Sequence, residues 1–180
     1  MKVTCLAVAC AVGLTTAVLA SEVPGPPKPG PEHAKLGYFV GKWAAEGEMK
    51  ASPFGPGGKT SSSDTCEWFE GKFAVVCNYN GSGPMGPMKG IGILGYSPEE
   101  KAYTYYGVDS SVMTMTSVPK GTKDGGTWTY LDESKMGGQT MKSRYVIEEL
   151  SADSYTFKWE VEGEGGAWTT VMEGKSTKKK

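Results

Sequence analysis

The chain has 180 residues, a formal net charge of −1 at pH 7 and an aromatic content of 11%. A charge this close to zero argues against a nucleic-acid-binding protein. The three lysines at the end, residues 178–180, are too few and too terminal to change that, and we interpret them as a solvated basic tail. The length predicts one domain with room for a full hydrophobic core.

The first twenty residues have the pattern of an export signal. Lys2 is followed by an almost uninterrupted apolar run, residues 3–19, which is at the short end for a membrane-spanning helix. The small residue Ala20 at the exit is typical of a signal peptide, so we expect residues 1–20 to be removed and the mature protein to be periplasmic or secreted. The alternative is a lipoprotein signal with Cys10 as the lipidated residue. Residues 21–30 hold four prolines and two glycines, which predicts an extended tether.

A short helix is predicted directly after the tether. Pro31 suits the first helical position, and Leu36, Phe39 and Val40 fall on one face at helical spacing. Gly41 suits the stop, and Trp43 opens the first strand. Because so short a helix is not stable alone, we expect it to dock as a plug against one end of the following structure.

Turn signals recur every eight to a dozen or so residues after Trp43, and they separate about ten strand-length segments. Regular spacing without intervening helices indicates antiparallel neighbours, and ten short strands most economically close into an up-and-down β-barrel. We therefore predict an all-β domain over residues 31–177, an antiparallel up-and-down barrel of about ten strands. The turn signals are Gly57-Gly58, Glu70-Gly71, Asn80-Gly81, Pro98-Glu99-Glu100, Asp109-Ser110, Asp124-Gly125-Gly126, Gly137-Gly138, Ala152-Asp153 and Gly165-Gly166.

Alternation along the strands predicts an aromatic interior and a polar exterior. A barrel of about ten strands encloses more space than its own side chains fill, and inward glycines add room. We expect Met88, Tyr105, Trp128, Tyr130, Tyr145 and Trp159 to line a ligand cavity. Other residues on the inward parity are Gly90, Gly92, Leu94, Tyr96, Tyr103, Gly107, Met141, Ser143, Ile147, Tyr155, Phe157, Val161, Trp168, Thr170 and Met172.

Two cysteines, Cys66 and Cys77, remain after removal of the leader. A hairpin centred between Gly71 and Lys72 places them directly opposite each other, and an even pair in an oxidising compartment predicts one disulfide. The loop-entropy relation assigns so short a ring about 3 kcal/mol. A redox pair and metal thiolates are weaker alternatives, because the spacing is not C-x-x-C and no histidine lies nearby.

Five motifs are spread over nearly the whole predicted mature chain. They are His-x-x-Leu at 33–36, Gly-x-Trp-x-x-Glu-Gly at 41–47, Cys-Glu-Trp at 66–68 with Cys77, Gly-Pro-Met-Gly-x-Met-Lys-Gly at 83–90 and Trp-Thr-x-x-Met-Glu-Gly-Lys at 168–175. Together they resemble an uncharacterised, mostly bacterial family, domain of unknown function 1579. The Gly41-x-Trp43 at the first strand also resembles lipocalins and fatty-acid-binding proteins, and residues 41–48 resemble the haem-binding barrel nitrobindin. These resemblances imply a calycin-like barrel, and the family itself implies no activity.

The single histidine, His33, and the single arginine, Arg144, are candidate ligand contacts. A nitrobindin-type site needs an imidazole late in the chain, whereas His33 precedes the barrel, so we expect no haem and interpret His33 as a tie between helix and barrel. In fatty-acid-binding relatives an interior arginine often holds a carboxylate. The alternation here points Arg144 outward, unless a bulge shifts the register.

Methionines offer a second candidate site. Met85, Met88, Met113, Met115 and Met136 resemble a thioether site for Cu(I), but without a nearby histidine or cysteine we favour gap-filling side chains and expect no metal or other cofactor.

No catalytic constellation is recognisable in the sequence: the barrel segment has no histidine base, no metal cluster and no phosphate loop. The leading hypothesis is therefore an exported, non-enzymatic barrel that binds a small apolar or amphipathic molecule. The alternative is a structural or interaction barrel of the cell envelope with a filled interior. The sequence does not indicate an oligomeric state.

Overall fold

The computed structural model of the chain describes residues 25–53, 55–110, 117–136 and 139–180, with backbone only for Met136 and Gln139. The described residues form a closed barrel of ten antiparallel strands in sequential order, and β10 pairs with β1. The prediction of an up-and-down barrel is confirmed. The strands are β1 (Gly41–Met49), β2 (Gly58–Trp68), β3 (Ala74–Gly83), β4 (Gly86–Ser97), β5 (Ala102–Asp109), β6 (Lys120–Asp124), β7 (Thr127–Met136), β8 (Gln139–Ser151), β9 (Ser154–Glu162) and β10 (Trp168–Lys178).

The predicted signal peptide, Met113, Met115 and the turn signal at residues 137–138 lie outside the described residues. The predicted basic tail overlaps the barrel by one residue. Lys178 is the last residue of β10, and its Nζ lies 4.8 Å from the ring centroid of Trp43. Among the residues described, no helix is long and apolar enough to cross a membrane.

The helix before the barrel acts as the predicted plug. Helix α1 (Pro31–Lys35) continues into a 3-10 turn, Leu36–Phe39, whose Leu36 and Phe39 are buried. Val40 is extended and Gly41 has a φ of +129°, so the chain leaves the helix directly into β1. The indole Nε1 of Trp43 donates to the carbonyl oxygen of Phe39 at 2.7 Å, which ties the first strand to the plug.

His33 is buried in this plug and has the tying role expected from the sequence. Its Nδ1 accepts a hydrogen bond from the backbone N–H of Gly30 at 3.1 Å, and its ring packs edge-on against Phe73 and Tyr96. The contacts join the helix to β4 and to the connection after β2.

A packed aromatic layer fills the barrel next to the plug. Trp128 is fully buried, and its ring centroid lies 5.0 Å from that of Phe39 and 4.8 Å from that of Tyr103. Trp43 is also buried, 5.0 Å from Tyr155. This aromatic layer, Phe39, Trp43, Tyr103, Trp128 and Tyr155, closes the helix end of the barrel.

One turn signal is wrong. Asn80-Gly81 lies inside β3, and the chain instead turns between Gly83 and Gly86, where Gly86 has a φ of +101°. The local preference of Asn-Gly for turns is outweighed by the pairing of β3 on both sides. A Cβ at Gly81 would lie 2.9 Å from the carbonyl oxygen of Ser61, so glycine serves close strand approach at this position.

The predicted inward parity is confirmed for β7, β8 and β9. Trp128 pairs with Ile147 and then Phe157, and Tyr130 pairs with Tyr145 and then Trp159. On β10 the parity is wrong for Trp168 and Thr170, because a bulge between Thr170 and Met172 shifts the register. Both lie on the outward side, where Thr170 bonds Glu160 and Trp168 stacks under Arg144.

The predicted disulfide is present. Cys66 and Cys77 are paired in register across β2 and β3, with Cα atoms 4.0 Å apart. The hairpin is centred between Gly71 and Lys72, as the sequence predicts, and Gly71 supplies a φ of +82° for the turn.

Candidate functional site

Above the aromatic layer the barrel interior is lined by side chains that point inward yet remain partly accessible. Packed neighbours do not cover all of their surface, so part of each faces space inside the barrel. We call this space the lumen. The partly accessible inward side chains that define it are Ser62, Asp64, Tyr79, Met88, Tyr105, Tyr145, Trp159 and Met172.

The six side chains predicted to line the cavity divide into three groups. Met88, Tyr105, Tyr145 and Trp159 lie on the lumen and are half-buried. Tyr130 also points inward but is only 4% exposed. Trp128 belongs to the aromatic layer one inward position nearer the plug, where its Nε1 donates to Glu149 Oε1 at 2.7 Å. Trp128 thus contributes to the floor of the lumen.

Asp64 places a carboxylate on the inward face of the barrel, beside the aromatic layer. It lies on β2, opposite Trp43 of β1 and Tyr79 of β3. The hydroxyl of Ser62 donates to Asp64 Oδ2 at 3.0 Å. Burial raises the pKa of Asp64 above its usual value, and the Ser62 hydrogen bond only partly offsets that effect.

Four tyrosines on other strands interact electrostatically with this carboxylate. Burial is the main cause of the raised pKa of each tyrosine, and the negative charge of Asp64 contributes to it. Tyr79 also donates to Asp109, and Tyr155, whose pKa rises to about 12, bonds Ser176. The four residues are Tyr79 on β3, Tyr105 on β5, Tyr145 on β8 and Tyr155 on β9.

One hydroxyl in the same space has no partner. The buried hydroxyl of Tyr130 has no hydrogen-bond partner in the described structure. Burial raises the pKa of Tyr130, and the nearby Tyr105 raises it further. A buried hydroxyl without a partner is costly, by about 1–3 kcal/mol in proteins, so its presence needs an explanation.

The inward glycines are covered by tyrosine rings from neighbouring strands. A Cβ at Gly90 would lie 2.4 Å from Tyr79 Cε1, and one at Gly92 would lie 2.8 Å from Tyr105 Cε2. Gly121 is covered in the same way by Tyr130. The expectation that inward glycines enlarge the cavity therefore needs correction, because they accommodate flat tyrosine rings against the wall.

The lumen is acidic. Asp64, Asp109 and Asp132 occupy inward positions, whereas none of the described inward positions between the aromatic layer and the far end of the barrel is Lys or Arg. Arg144 lies outside, as predicted: its Nε donates to Glu160 Oε2 at 2.5 Å, and its guanidinium lies 4.5 Å from the ring centroid of Trp168.

A concavity of about 540 Å³ opens in the wall beside the lumen. Its lining mixes inward residues, Asp132 and Ser143, with outward ones, Leu131 and Trp168. The mixture arises because β6 begins only at Lys120, so the far half of β7 has no strand partner on that side among the described residues. A second concavity, about 450 Å³, lies across β3, β4 and β5 above Gly90.

No group of three or more His, Cys, Asp and Glu side chains in the described part of the chain is arranged to hold a metal ion. Of the methionines considered for Cu(I), Met85 is 54% exposed in the turn after β3, and Met88 is half-buried on the inward side of β4. The other three have no described side chain.

Asp64 was missed at the sequence level because its surroundings, Ser61 to Thr65, are uniformly polar and show no apolar alternation. A signal was nevertheless available. Asp64 is two residues from Cys66, so it shares the face of a cysteine predicted to be buried, and Tyr79 is related to Cys77 in the same way.

Asp64→Asn is expected to raise the free energy of unfolding at pH 7 by about 1 kcal/mol, because it removes a buried charge that no described cation neutralises. The pKa of Asp64 in the folded state lies above its value in the unfolded chain. At any pH above the folded-state pKa the carboxylate is ionised and destabilises the folded state. As the pH falls through the raised pKa toward 3.8, the carboxylate takes up a proton and the difference from wild type should shrink.

Urea unfolding at a series of pH values measures this difference, and Asp124→Asn on the exposed end of β6 is the matched control, with no expected change. A variant less stable than wild type at pH 7 would contradict the interpretation of Asp64 as an uncompensated charge.

Comparisons with known proteins agree with the architecture. Residues 28–178 match the family described as protein of unknown function, DUF1579. No protein of curated function matches the chain significantly. Among solved structures, the barrel is similar to Rv2717c from M. tuberculosis, with a TM-score of 0.57 and 12% identity over 84% of this chain and 99% of that one. It is also similar to the S-type phycobiliprotein lyase CPES from Guillardia theta, with a TM-score of 0.55 and 14% identity over 83% and 93%. At these identities the similarity concerns the fold alone.

Proposed function

The chain belongs to the DUF1579 family, and from the lumen of its barrel we propose that it binds a small apolar or amphipathic molecule. The observation that carries the proposal is the contrast between the two halves of the interior. The aromatic layer at the helix end is packed, whereas Tyr105, Tyr145 and Trp159 keep accessible surface although they point inward. Concave, mostly apolar sites with a few polar groups are the usual form of small-molecule sites.

The same proposal includes export to the periplasm or the exterior. It is supported by the leader-like pattern of residues 1–20 and by the cysteine pair of β2 and β3, since disulfides persist mainly in oxidising compartments.

Binding is tested with Nile red, a neutral fluorophore whose emission rises in apolar surroundings. Wild-type protein is expected to bind it, and Trp159→Ala should weaken the affinity about tenfold, because a tryptophan in a binding site is often a dominant contact. Trp168→Ala makes the same change on the outer face, beside Arg144, and should leave the affinity unchanged.

Circular dichroism shows whether each variant is folded. Loss of structure in Trp159→Ala, with unchanged Nile red affinity in the fraction that stays folded, would assign Trp159 to the core and count against the lumen as the site. The natural ligand is sought by native mass spectrometry of mature protein purified from its source: a mass excess that disappears on denaturation identifies it.

A second candidate function is a structural or interaction barrel of the cell envelope. It is favoured by an apolar strip on the outer face of β4 and β5, where Ile91 pairs with Val108 and Ile93 with Tyr106, each 38–47% exposed. Exposed apolar patches mark interaction surfaces more often than isolated residues do. Absence of Nile red binding and of any copurified ligand would favour this function.

A further inference from the structure

We propose that the lumen selects ligands that carry a protonated amine, with Asp64 as the counter-ion and the Tyr130 hydroxyl as a second hydrogen-bonding partner. This inference rests on the proposed function and specifies the chemical class of its ligand. It comes from two independent observations, the uncompensated carboxylate and the unpartnered hydroxyl.

The charge distribution favours a cation. Asp64 accepts one hydrogen bond, from Ser62, while an ionised carboxylate can accept about four. Its cross-strand partners are Trp43 and Tyr79, and neither carries a positive charge. The lysine in the same row, Lys178 on the far side of Trp43, packs over the Trp43 ring and extends toward Gly41 at the plug. The sequence of residues 111–116, Ser-Val-Met-Thr-Met-Thr, contains no basic residue either. An ammonium group entering this space would gain a charge-assisted hydrogen bond that the protein alone does not form.

The surrounding rings suit the same ligand. Tyr79 lies directly opposite Asp64 across β2 and β3, and Tyr105 and Tyr145 lie on the same inward surface. The π-faces of such rings attract cations, most strongly where water is excluded. The apolar side chains Trp159, Met88 and Met172 lie on the same inward surface and would cover a hydrocarbon or aromatic body.

The Tyr130 hydroxyl provides the second observation. Its oxygen is buried and has no partner among the described residues, and the side chain is only 4% exposed on the inward face of β7. A buried polar group without a partner costs free energy, and a hydrogen bond to a ligand recovers it. Tyr130 pairs with Tyr145 across β7 and β8. Besides burial, the charge of Asp64 contributes to the raised pKa of Tyr145.

The inward carboxylates of the lumen disfavour ligands that are themselves carboxylates. A fatty acid would place its negative head group in a lumen that already holds three inward carboxylates and no described cation. Because the single arginine is paired with Glu160 outside the barrel, it is not positioned to neutralise such a head group.

The test compares decylamine with decanoate, which have the same chain length and opposite charge, each below its micelle concentration, as competitors of bound Nile red. At pH 7 decylamine is expected to compete at least about tenfold more strongly. Asp64→Asn should remove most of that preference, and Tyr130→Phe should weaken decylamine several-fold without lowering the unfolding midpoint. Asp124→Asn, the surface control, should behave as wild type.

Acidification gives an independent readout. As the pH falls through the raised pKa of Asp64, decylamine stays protonated but its counter-ion is neutralised, so its affinity should decline in wild type and stay flat in Asp64→Asn. Equal competition by the two compounds, or unchanged decylamine affinity in both Asp64→Asn and Tyr130→Phe, would overturn the inference while leaving Nile red binding and the proposed function intact. Absence of binding by Nile red and by both competitors would overturn the proposed function itself.

Discussion

Gly174→Ala is expected to destabilise the barrel by about 3 kcal/mol, the upper part of the range for overpacked interiors. A Cβ at this position would lie 2.5 Å from the carbonyl oxygen of Glu46, 2.8 Å from the Cα of Gly47 and 2.5 Å from Phe157 Cζ. Two of these atoms belong to the backbone of β1, which cannot rotate away as a side chain can. The substitution therefore has to push the strands apart.

This position matters because β1 and β10 form the seam that closes the barrel. Gly47 and Gly174 are direct partners there, and a Cβ at Gly47 would likewise lie 2.6 Å from the carbonyl oxygen of Glu173. Glycine at such points allows neighbouring strands to approach and bend more closely than other residues permit. A weakened seam removes pairing from both terminal strands at once.

Urea unfolding measures the effect, with Gly163→Ala as the control. Gly163 lies in the connection before β10 at a φ of −96°, and the nearest atom to its Cβ position is the carbonyl oxygen of Ala167 at 3.5 Å. Both variants reduce the freedom of the unfolded chain equally, so the difference between them isolates the steric effect. A Gly174→Ala variant as stable as the control would show that the seam has room to relax.

Much of the fold follows from local sequence patterns. The alternation of apolar and polar residues indicates each strand, and the residue types at each tight turn indicate where the strand ends. The ten strands, the plug and the Cys66–Cys77 register are of this kind. The outward position of Trp168 was not predictable, since the β10 bulge adds a residue without interrupting the apolar pattern. The turn predicted at Asn80-Gly81 is absent for a different reason. These residues pair with β2 on one side and with β4 on the other, and this pairing outweighs the local turn preference.

The candidate site was predictable only in part. Tyr105, Tyr145 and Trp159 follow from alternation, because aromatic residues at period two indicate an inward face. The division of the interior into a packed layer and a lumen depends on where the plug docks, and that is a tertiary contact with no local signature. The covering of Gly90 and Gly92 by Tyr79 and Tyr105 is likewise a cross-strand relation, set by register and not by either segment alone.

Removal of the disulfide is expected to lower the free energy of unfolding by about 3 kcal/mol. The bridge joins cysteines 11 residues apart, and the loop-entropy relation gives a ring of that size roughly this stabilisation through the unfolded chain. The double variant Cys66→Ala/Cys77→Ala and reduced wild-type protein should unfold at similar urea concentrations. The double variant should not respond to reductant, which separates the bridge from any other effect of the reagent.

The bridge also has a consequence for the lumen. Asp64 and Tyr79 are the next inward pair beyond the cysteines, so the covalent link holds them in register. A slip of one residue between β2 and β3 would turn one of them toward solvent, because side chains alternate between the two faces. Reduced protein kept below its unfolding transition should therefore lose preference for decylamine over decanoate before it loses barrel structure. If the preference persists after reduction, strand pairing alone holds Asp64 in place and the bridge serves stability only.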